Sequence, residues 1–330
     1  MTTSVGVGRF TYRVDEGWEQ LPPGWDHLDV AGVAVDSQDQ VYVFNRGAHP
    51  VIVYDRAGNF LRAWGEGVIA SAHGITIGPD DAVYCVDVAG HSVRKFTTRG
   101  ELELTIGTPG VPSETGATTD YRTITHGGAP FHRPTNLAIS RGGNLYVSDG
   151  YLNARVHCFD PNGVLLFSWG EPGNGPGQFN LPHALAIGDD DRVFVADREN
   201  SRLQIFDLEG HYLTEWVGIN RPDDLAIDRE GNVFVLELGQ RAGLFPFMPP
   251  STPQVAHARL SVFDRLGNPL ARWGSDDPCS PGSFFAPHGI CIDSHGDLYV
   301  GEVNWAGGGN RGDVPSDCHT LQKFVRISGA

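Results

Sequence analysis

Three histidines of this chain recur at one position of a repeated sequence motif. His73, His183 and His288 lie in the stretches SAHGITI, LPHALAI and APHGICI, in which apolar residues alternate in the same way after each histidine. Three neutral imidazoles with a fourth position left open form the ligand set of catalytic zinc sites. The shared position therefore predicts one Zn²⁺ ion held by the three histidines.

The aligned position carries other residue types in the remaining copies of the motif. It is Ala31, Thr135 or Asp223 in the copies that lack histidine. Iron oxygenases usually replace one histidine of such a set with a carboxylate, so three histidines favour zinc. Asp223 could supply a carboxylate at the same level, and iron or manganese therefore stays an alternative.

The motif is part of a longer repeat, which must position these histidines. Six copies begin near residues 30, 71, 133, 181, 221 and 286. Each copy has two alternating apolar segments, typical of strands, joined by a turn such as SQDQ, RGGN or SHGD, whose residues tolerate positive φ. A third strand follows every copy and a fourth follows five of them. Four strands in each of six units predict an all-β fold, a six-bladed β-propeller.

The propeller explains why the histidines should meet. They occupy the second, fourth and sixth copies, and alternate blades of a six-fold ring are related by about 120°. The aligned position opens the innermost strand at the mouth of the central channel. We therefore expect His73, His183 and His288 to point at one place on the axis.

The two ends of the chain are expected to close this ring. The sixth copy lacks a fourth strand, whereas residues 9–14 alternate like a strand before the first copy. We expect this N-terminal segment to complete the last blade, so that residues 1–330 form a single domain. Segments 108–131, 239–258 and 305–318 interrupt the repeat, and they are either surface loops or loops that shape entry to the channel.

An acidic or amide residue ends the second strand of every copy. These residues are Asn45, Asp87, Asp149, Asp197, Glu237 and Glu302. Their simplest role is to cap a turn and tie neighbouring blades together. The residues that follow them are better candidates for chemistry. Arg46, Tyr151 and Arg198 would surround the metal with cationic and phenolic groups, which can bind a carboxylate and move a proton.

Composition excludes several classes of function. The net charge of −16 opposes binding to nucleic acid, and no segment has the apolar length of a membrane span. The N-terminus lacks a secretory signal pattern.

The five cysteines match no metal-binding spacing. Cys85, Cys158 and Cys291 are expected to be inert core thiols and Cys279 and Cys318 to stay unpaired, which predicts a cytoplasmic protein.

Several stretches resemble a known family of NHL-repeat propellers. The chain is similar to the lyase domain of peptidyl-α-hydroxyglycine α-amidating lyase blade by blade. The stretches that carry the resemblance are FNRGAH from Phe44, AHGI from Ala72, SDGYLNAR from Ser148, PHALA from Pro182, ADRENSR from Ala196 and PHG from Pro287. The resemblance implies that His73, His183 and His288 hold zinc, that Tyr151 is the catalytic base and that Arg46 and Arg198 line the active site.

Three departures from the family limit what the resemblance implies. The family has an aspartate that helps to bind a structural Ca²⁺ where this chain has Gly289, which argues against calcium. Ala286 stands where the animal enzymes have methionine, so the pocket wall differs. No copper monooxygenase domain is visible. A small molecule, in some cases one that bears a carboxylate, is therefore a better expectation for the substrate than a secreted peptide hormone.

The resemblance implies a zinc-dependent lyase that cleaves the carbon–nitrogen bond of a carbinolamide and releases an amide and a carbonyl compound. In the expected reaction zinc lowers the pKa of the substrate hydroxyl and Tyr151 takes its proton. Two alternatives stay open. One is a zinc-dependent hydrolase or lactonase on the same scaffold, and the other is a non-enzymatic NHL interaction module.

Overall fold

The computed structural model describes residues 3–240 and 257–327 of the chain. Within these residues the strands form five four-stranded antiparallel sheets and one five-stranded sheet. Each four-stranded sheet contains strands that follow one another in the chain. The five-stranded sheet combines the last strands of the chain with strands from the N-terminal segment. The chain is therefore a six-bladed β-propeller, as its repeat predicts.

The elements follow the repeat closely. Two strands precede the first blade, β1 (Ser4–Val7) and β2 (Phe10–Asp15). The first blade comprises β3 (Val30–Val35), β4 (Val41–Asn45), β5 (Val51–Tyr54) and β6 (Phe60–Trp64). The second comprises β7 (Ala72–Ile77), β8 (Val83–Asp87), β9 (Ser92–Phe96) and β10 (Leu102–Ile106). The third comprises β11 (Pro134–Ile139), β12 (Leu145–Asp149), β13 (Arg155–Phe159) and β14 (Leu165–Trp169).

The remaining blades complete the series. The fourth comprises β15 (Pro182–Ile187), β16 (Val193–Asp197), β17 (Arg202–Phe206) and β18 (Tyr212–Val217). The fifth comprises β19 (Pro222–Ile227), β20 (Val233–Glu237), β21 (Arg259–Phe263) and β22 (Pro269–Trp273). The sixth contains β23 (Pro287–Ile292), β24 (Leu298–Glu302) and β25 (Leu321–Arg326). Helical segments are α1 (Asn304–Gly307) and the 3₁₀ turns Tyr121–Thr123, Arg198–Asn200 and Gly309–Arg311.

Backbone contacts divide the chain into two compact units. One unit comprises residues 64–222 and holds the second, third and fourth blades. The other comprises residues 1–63 and 223–330. The expectation that residues 1–330 form one domain stays a prediction.

The N-terminal segment completes the sixth blade, as predicted. β2 pairs antiparallel with β25, with Tyr12 opposite Arg326 and Asp15 opposite Lys323. β1 then adds a fifth strand to this sheet through a tight turn at Gly8, whose φ is +56°. The sequence analysis did not predict β1, because Gly6 and Gly8 interrupt the apolar alternation on which strands are recognised.

The polar turns between the first and second strands have the backbone geometry that their residues favour. The third residue of each turn is left-handed, with φ between +57° and +86°, and these residues are Asp39, Asp81, Gly143, Asp191, Gly231 and Gly296. Asp and Gly are among the residues that reach this region at low cost. The turn chemistry therefore fixes the six hairpins that present the innermost strands.

The hydrophobic core lies between successive blades, with the second strand of each blade at its centre. All five residues of β8, β12 and β16 are buried. Val86 and Val147 belong to one cluster that joins the second and third blades. Val195 and Phe206 belong to another that joins the third and fourth blades. This packing holds the innermost strands of one unit in fixed register.

The structure of the segments outside the repeat contradicts one expectation about the cysteines. Cys279 and Cys318 form a disulfide across a separation of 39 residues, so the prediction that they stay unpaired is wrong. No spacing rule reveals a pair that two separate loops bring together. The other thiols are unpaired, as predicted, and burial raises the pKa of Cys85. Residues 241–256 of the middle insertion lie outside the described residues.

Over residues 3–240 and 257–327, the structure has no helix with the length and apolar character needed to span a membrane.

Candidate functional site

The aligned position of the repeat is the second residue of the innermost strand in every blade. The six residues are Ala31, His73, Thr135, His183, Asp223 and His288. In five blades the pairing between the first and second strands shifts register at this point. Such a β-bulge turns a side chain away from the regular alternation of the sheet. Sequence alternation alone does not reveal this feature.

The imidazole of His73 is fixed by the neighbouring blade. Its Nδ1 lies 2.6 Å from the carbonyl oxygen of Thr135, which occupies the aligned position of the third blade. A carbonyl oxygen can only accept, so Nδ1 carries the proton in the neutral ring and Nε2 keeps a lone pair. The side chain is 2% exposed. This arrangement suits a metal ligand, because the protein selects the tautomer whose lone pair is on Nε2.

His288 makes the same contact within the other unit. Its Nδ1 lies 2.7 Å from the carbonyl oxygen of Ala31, at the aligned position of the first blade. The neutral ring therefore also keeps its lone pair on Nε2. His288 is 5% exposed. Two histidines of the repeat thus share one orienting device, in which the acceptor is a backbone oxygen that no substitution removes.

Tyr151 contacts both histidines of the unit that contains it. Its hydroxyl oxygen lies 3.2 Å from Nε2 of His73 and 3.0 Å from Nε2 of His183. The two imidazole centroids are 4.8 Å apart. The Nε2 atoms of His73 and His183 therefore face one small region, and the phenolic oxygen of Tyr151 lies within hydrogen-bonding distance of both.

A glycine before Tyr151 permits this close approach. A Cβ atom on Gly150 would lie 2.2 Å from the carbonyl oxygen of Pro182, the residue before His183. Only a residue without a side chain lets the loop after β12 lie against β15. The Gly150–Tyr151 pair therefore places the phenol beside His183.

Arg198 also lies close to the tyrosine ring. Its guanidinium carbon is 5.7 Å from the ring centroid of Tyr151. The 3₁₀ turn Arg198–Asn200 directly after β16 carries it, and its backbone N–H donates to the carbonyl oxygen of Leu181 at 3.1 Å. Because Leu181 is two residues before His183, this bond couples the position of Arg198 to the innermost strand.

Arg198 belongs to a buried charge cluster that the sequence analysis missed. Its Nε donates to Glu199 at 2.9 Å, and Arg221 donates to the same carboxylate at 2.7 Å. Burial opposes ionisation of Glu199, but the charges of Arg198 and Arg221 lower its pKa below the usual value. Arg198 and Glu199 are adjacent in the sequence, and their opposite charges could have indicated this pair. Arg221 is remote in the sequence, and no sequence feature connects it to them.

The acids at the ends of the second strands have the structural role expected of them. Asp87 accepts from the backbone N–H groups of Ala70, Ser71 and Gly90, each at 2.9 Å. Glu302 accepts similarly from Phe285 at 2.8 Å. In these two blades the carboxylate ties the loop before the innermost strand to the second strand. These carboxylates stabilise the mouth of the blade, and the residues that follow them remain the candidates for chemistry.

Arg46 and His288 lie in the unit of residues 1–63 and 223–330. The Arg46 guanidinium is 3.9 Å from a carboxylate oxygen of Asp29, which also accepts from the N–H of Trp305 at 2.8 Å. Burial raises the pKa of Asp29. Asp29 was not predicted, and it connects Arg46 to the start of the 305–318 insertion.

Gly289 is closed to a larger residue. A Cβ atom there would lie 2.7 Å from Cα of Gly32 in the first blade. An aspartate, which the resemblance implies for a calcium site, would therefore displace backbone atoms. The described residues thus do not provide this calcium ligand.

Comparison with known proteins supports the resemblance. Residues 179–206 match the family model described as NHL repeat. The chain is 33% identical over 221 residues to NHL repeat-containing protein 3 of Homo sapiens, covering 63% of this chain and 60% of that protein. It is 28% identical over 262 residues to peptidyl-alpha-hydroxyglycine alpha-amidating lyase 1 of Drosophila melanogaster, covering 73% of this chain and 44% of the lyase. The chain thus spans less than two thirds of either relative.

The chain is a six-bladed propeller with one segment that matches the NHL repeat, and it is similar in sequence to amidating lyases. A solved structure described as a gluconolactonase from Xanthomonas campestris has the same fold, with a TM-score of 0.61, 13% identity, and coverage of 98% of this chain and 95% of that one. At this identity the likeness concerns the fold alone. Sequence similarity extends to NHL repeat-containing protein 3 and to an amidating lyase, whereas the gluconolactonase shares only the fold.

Proposed function

We propose that this protein is a metal-dependent lyase that cleaves the carbon–nitrogen bond of a carbinolamide. The observation that carries the proposal is the hydroxyl group of Tyr151 beside Nε2 of both His73 and His183. A proton-transfer group beside two imidazoles is what the reaction requires, and similarity to the Drosophila lyase supports the same reaction class.

The residues present fit a zinc ion. We propose that His73, His183 and His288 hold it, because all three are buried and occupy the same register position of the repeat. His73 and His288 each use Nδ1 for a backbone carbonyl, which leaves Nε2 as the ligand atom. When bound, zinc would supply positive charge that lowers the pKa of a substrate hydroxyl. Three imidazoles favour zinc over iron or manganese.

The reaction balances without water. The substrate has the form R–CO–NH–CH(OH)–R′, and its hydroxyl proton passes to the phenolate form of Tyr151. A carbon–oxygen double bond forms as the carbon–nitrogen bond breaks, and the departing amide nitrogen takes a proton from Tyr151. The products are R–CO–NH₂ and the aldehyde R′–CHO. Tyr151 therefore serves as base and then as acid, returning to its starting state.

Arg198 and Arg46 are proposed to bind negative charge on the substrate. Arg198 is held by Glu199, and its guanidinium lies against the ring of Tyr151. Arg46 is held by Asp29. A planar guanidinium recognises a carboxylate with two parallel hydrogen bonds, so a substrate in which R′ is a carboxylate suits these residues. The proposed substrate is a small molecule, and the net charge of −16 opposes a nucleic-acid partner.

We also propose the type of cellular compartment in which the protein works. The cytoplasm was predicted from unpaired cysteines, but Cys279 and Cys318 form a disulfide. Such bonds persist chiefly in oxidising compartments. We therefore favour an oxidising environment over the cytoplasm, which thiol labelling of protein from its native source would test.

The proposed reaction is tested with N-benzoyl-α-hydroxyglycine in water enriched in ¹⁸O. A lyase yields equal amounts of benzamide and glyoxylate, and the benzamide contains no ¹⁸O. The alternative of a zinc-dependent hydrolase yields labelled benzoate, since water attacks the acyl carbon. The alternative of an interaction module yields neither product above the rate without protein. Glyoxylate exchanges its oxygen with water, so benzamide is the informative product.

A further inference from the structure

Arg221 is a fully buried arginine in the unit of residues 64–222. The residue is 1% exposed, and burying a guanidinium without a partner is costly. Glu199 supplies a partner. Nε of Arg221 donates to one oxygen of this carboxylate at 3.1 Å, and Nη2 donates to the other at 2.7 Å. Such a pair of bonds fixes the plane of the carboxylate against the plane of the guanidinium.

The same carboxylate holds Arg198. The Oε1 atom of Glu199 accepts from Nη2 of Arg221 and also from Nε of Arg198, at 2.9 Å. Burial opposes ionisation of Glu199, but the charges of Arg198 and Arg221 hold its pKa below the usual value, so the carboxylate is charged at neutral pH. Hydrogen bonds between charged groups are strong where water is excluded. The orientation of the Arg198 guanidinium therefore depends on Arg221 through Glu199.

The backbone of Arg221 is fixed against the same turn. Its N–H donates to the hydroxyl oxygen of Ser201 at 3.3 Å, and Ser201 directly follows the 3₁₀ turn Arg198–Asn200. Both residues have left-handed backbones, with φ of +51° for Arg221 and +53° for Ser201. Residues with a side chain rarely adopt this region, and they keep it where the surrounding structure imposes it. The main chain and the side chain of Arg221 therefore both contact the segment that carries Arg198.

The repeat alone does not account for a buried arginine at this position. Arg221 stands two residues before the aligned position, directly before a proline, where the third blade has Arg133 and the fourth has Leu181. All three residues have left-handed backbones. Arg133 is exposed, however, and Leu181 is apolar. The propeller thus accepts an exposed arginine or a leucine here, and the arginine is buried where it pairs with the neighbour of Arg198.

We infer that Arg221 is a positioning residue that, through Glu199, holds the Arg198 guanidinium in the orientation that binds the substrate carboxylate. The inference rests on the proposed function for the role of Arg198. It adds a basis for substrate selectivity, in which carbinolamides with a carboxylate are preferred to neutral ones. The side chain of Arg198 is 3% exposed, so a small rotation takes its accessible atoms away from a bound substrate. Misplacement of a binding group by about 1 Å can cost about 100-fold in rate.

Two substrates that differ in the carboxylate test this role. N-benzoyl-α-hydroxyglycine carries the carboxylate, whereas N-(hydroxymethyl)benzamide has a hydrogen in its place and would yield benzamide and formaldehyde. The ratio of their kcat/KM values, each corrected for the rate without protein, measures carboxylate selectivity. We expect a ratio of at least about tenfold in the wild type, because charge-assisted bonds between guanidinium and carboxylate form with one substrate only.

Variants of the buried pair should remove the selectivity. Arg221→Met keeps the length of the side chain but removes the guanidinium, and the ratio should fall at least about tenfold, mainly through a higher KM for the carboxylate substrate. Glu199→Gln keeps the size of the side chain but removes its charge, and it should have the same effect. Arg221→Lys keeps the charge but not the two-bond geometry, so it should give an intermediate ratio. It provides the test if Arg221→Met does not fold.

Two further variants distinguish positioning from a general loss of structure. Arg133→Gln is the matched control, at the same repeat position but exposed, and it should leave the ratio unchanged. If Arg221 acts through Arg198, Arg198→Met combined with Arg221→Met should have the same ratio as Arg198→Met alone. A residue needed only for folding would instead lower kcat/KM for both substrates by one factor and leave their ratio unchanged.

Calorimetric titration of the full chain with added zinc provides a readout without turnover. Hippurate (N-benzoylglycine) has the carboxylate but lacks the reacting hydroxyl, and N-methylbenzamide lacks both. Hippurate should bind the wild type at least about tenfold more tightly than N-methylbenzamide does, and Arg221→Met should abolish this difference.

The outcomes separate this inference from the proposed function. Loss of the hippurate preference in Arg221→Met but not in Arg133→Gln supports the positioning role even if neither carbinolamide yields benzamide, a result that overturns the lyase proposal. Benzamide formation with the same selectivity ratio in wild type, Arg221→Met and Glu199→Gln overturns the positioning role and leaves the lyase proposal intact. Equal affinity of the wild type for hippurate and N-methylbenzamide also overturns the positioning role.

Discussion

The phenolic oxygen of Tyr151 lies 3.0 Å from Nε2 of His183. Tyr151 follows the second strand of the third blade, and His183 is in the first strand of the fourth. Their contact brings a proton-transfer group to a nitrogen proposed as a metal ligand. Metal binding and proton transfer would therefore take place side by side. Substitution can separate the two roles, because they belong to different residues.

Tyr151→Phe separates them. Phenylalanine preserves the ring against Arg198 but removes the hydroxyl, so we expect the rate of benzamide formation to fall about 10²- to 10⁴-fold. Zinc content should not change, because both Nε2 atoms remain. Steady-state kinetics with zinc analysis of the same sample gives both values. Activity within twofold of the wild type would show that Tyr151 is not the base.

Asp87→Ala tests the structural role of the acids that end the second strands. Removal of the carboxylate leaves the N–H groups of Ala70, Ser71 and Gly90 and the buried charge of Arg94 without their acceptor. The free energy of unfolding should fall by about 3–5 kcal/mol in urea denaturation. Glu101→Ala, at an exposed position nearby, serves as the control and should stay within about 0.5 kcal/mol of the wild type. A smaller loss in Asp87→Ala than in the control would refute the structural role.

The pH dependence of stability should depend on His319. Burial opposes its protonation, but its hydrogen bond to Glu302, with an Nε2–oxygen distance of 3.0 Å, raises its pKa above 6.5. Its contribution is therefore complete below pH 6.5 and is lost as the pH rises through the folded-state pKa. Glu19 and the Ser283 carbonyl also face it, and both favour the charged ring.

Urea denaturation from pH 6 to pH 9 measures this effect. His319→Gln should flatten the decline in stability with rising pH, whereas His211→Gln, at a histidine whose side chain is 77% exposed, should preserve it. An identical slope in wild type and His319→Gln would contradict the assignment.

The disulfide should stabilise the protein by restricting the unfolded chain. A link across 39 residues corresponds to about 4 kcal/mol in the chain-entropy model. Cys279→Ser combined with Cys318→Ser should lower the unfolding free energy by about this amount. Dithiothreitol should have a similar effect on wild type and none on the double variant. Insensitivity of the wild type to both changes would contradict a stabilising bond.

The repeat makes the blade boundaries predictable from sequence, and the reason is local. Alternating apolar residues and turns with Asp39 or Gly143 at the left-handed position specify each hairpin without reference to the rest of the chain. The register of His73 and His183 follows from the same pattern. Their orientation does not, because it depends on a β-bulge and on a backbone oxygen of the next blade.

Contacts between segments that are far apart in the sequence were not predicted, for a related reason. Arg221 reaches Glu199 across 22 residues, and Asp29 reaches Trp305 across 276. One sequence carries no covariation that would link such pairs. The cysteine pair is a further example, and here a rule about spacing gave the wrong answer.

The most direct test of the account is the zinc content of the His183→Ala variant. The wild type, dialysed against excess zinc and then against buffer, should retain one zinc per chain by mass spectrometry, and His183→Ala should bind it at least about 100-fold more weakly. His211→Ala is the control, because Asp207, Glu209 and His211 form another group able to bind a metal at a more exposed site. The account predicts loss in His183→Ala alone. Undiminished zinc in His183→Ala, or loss in His211→Ala instead, would contradict it.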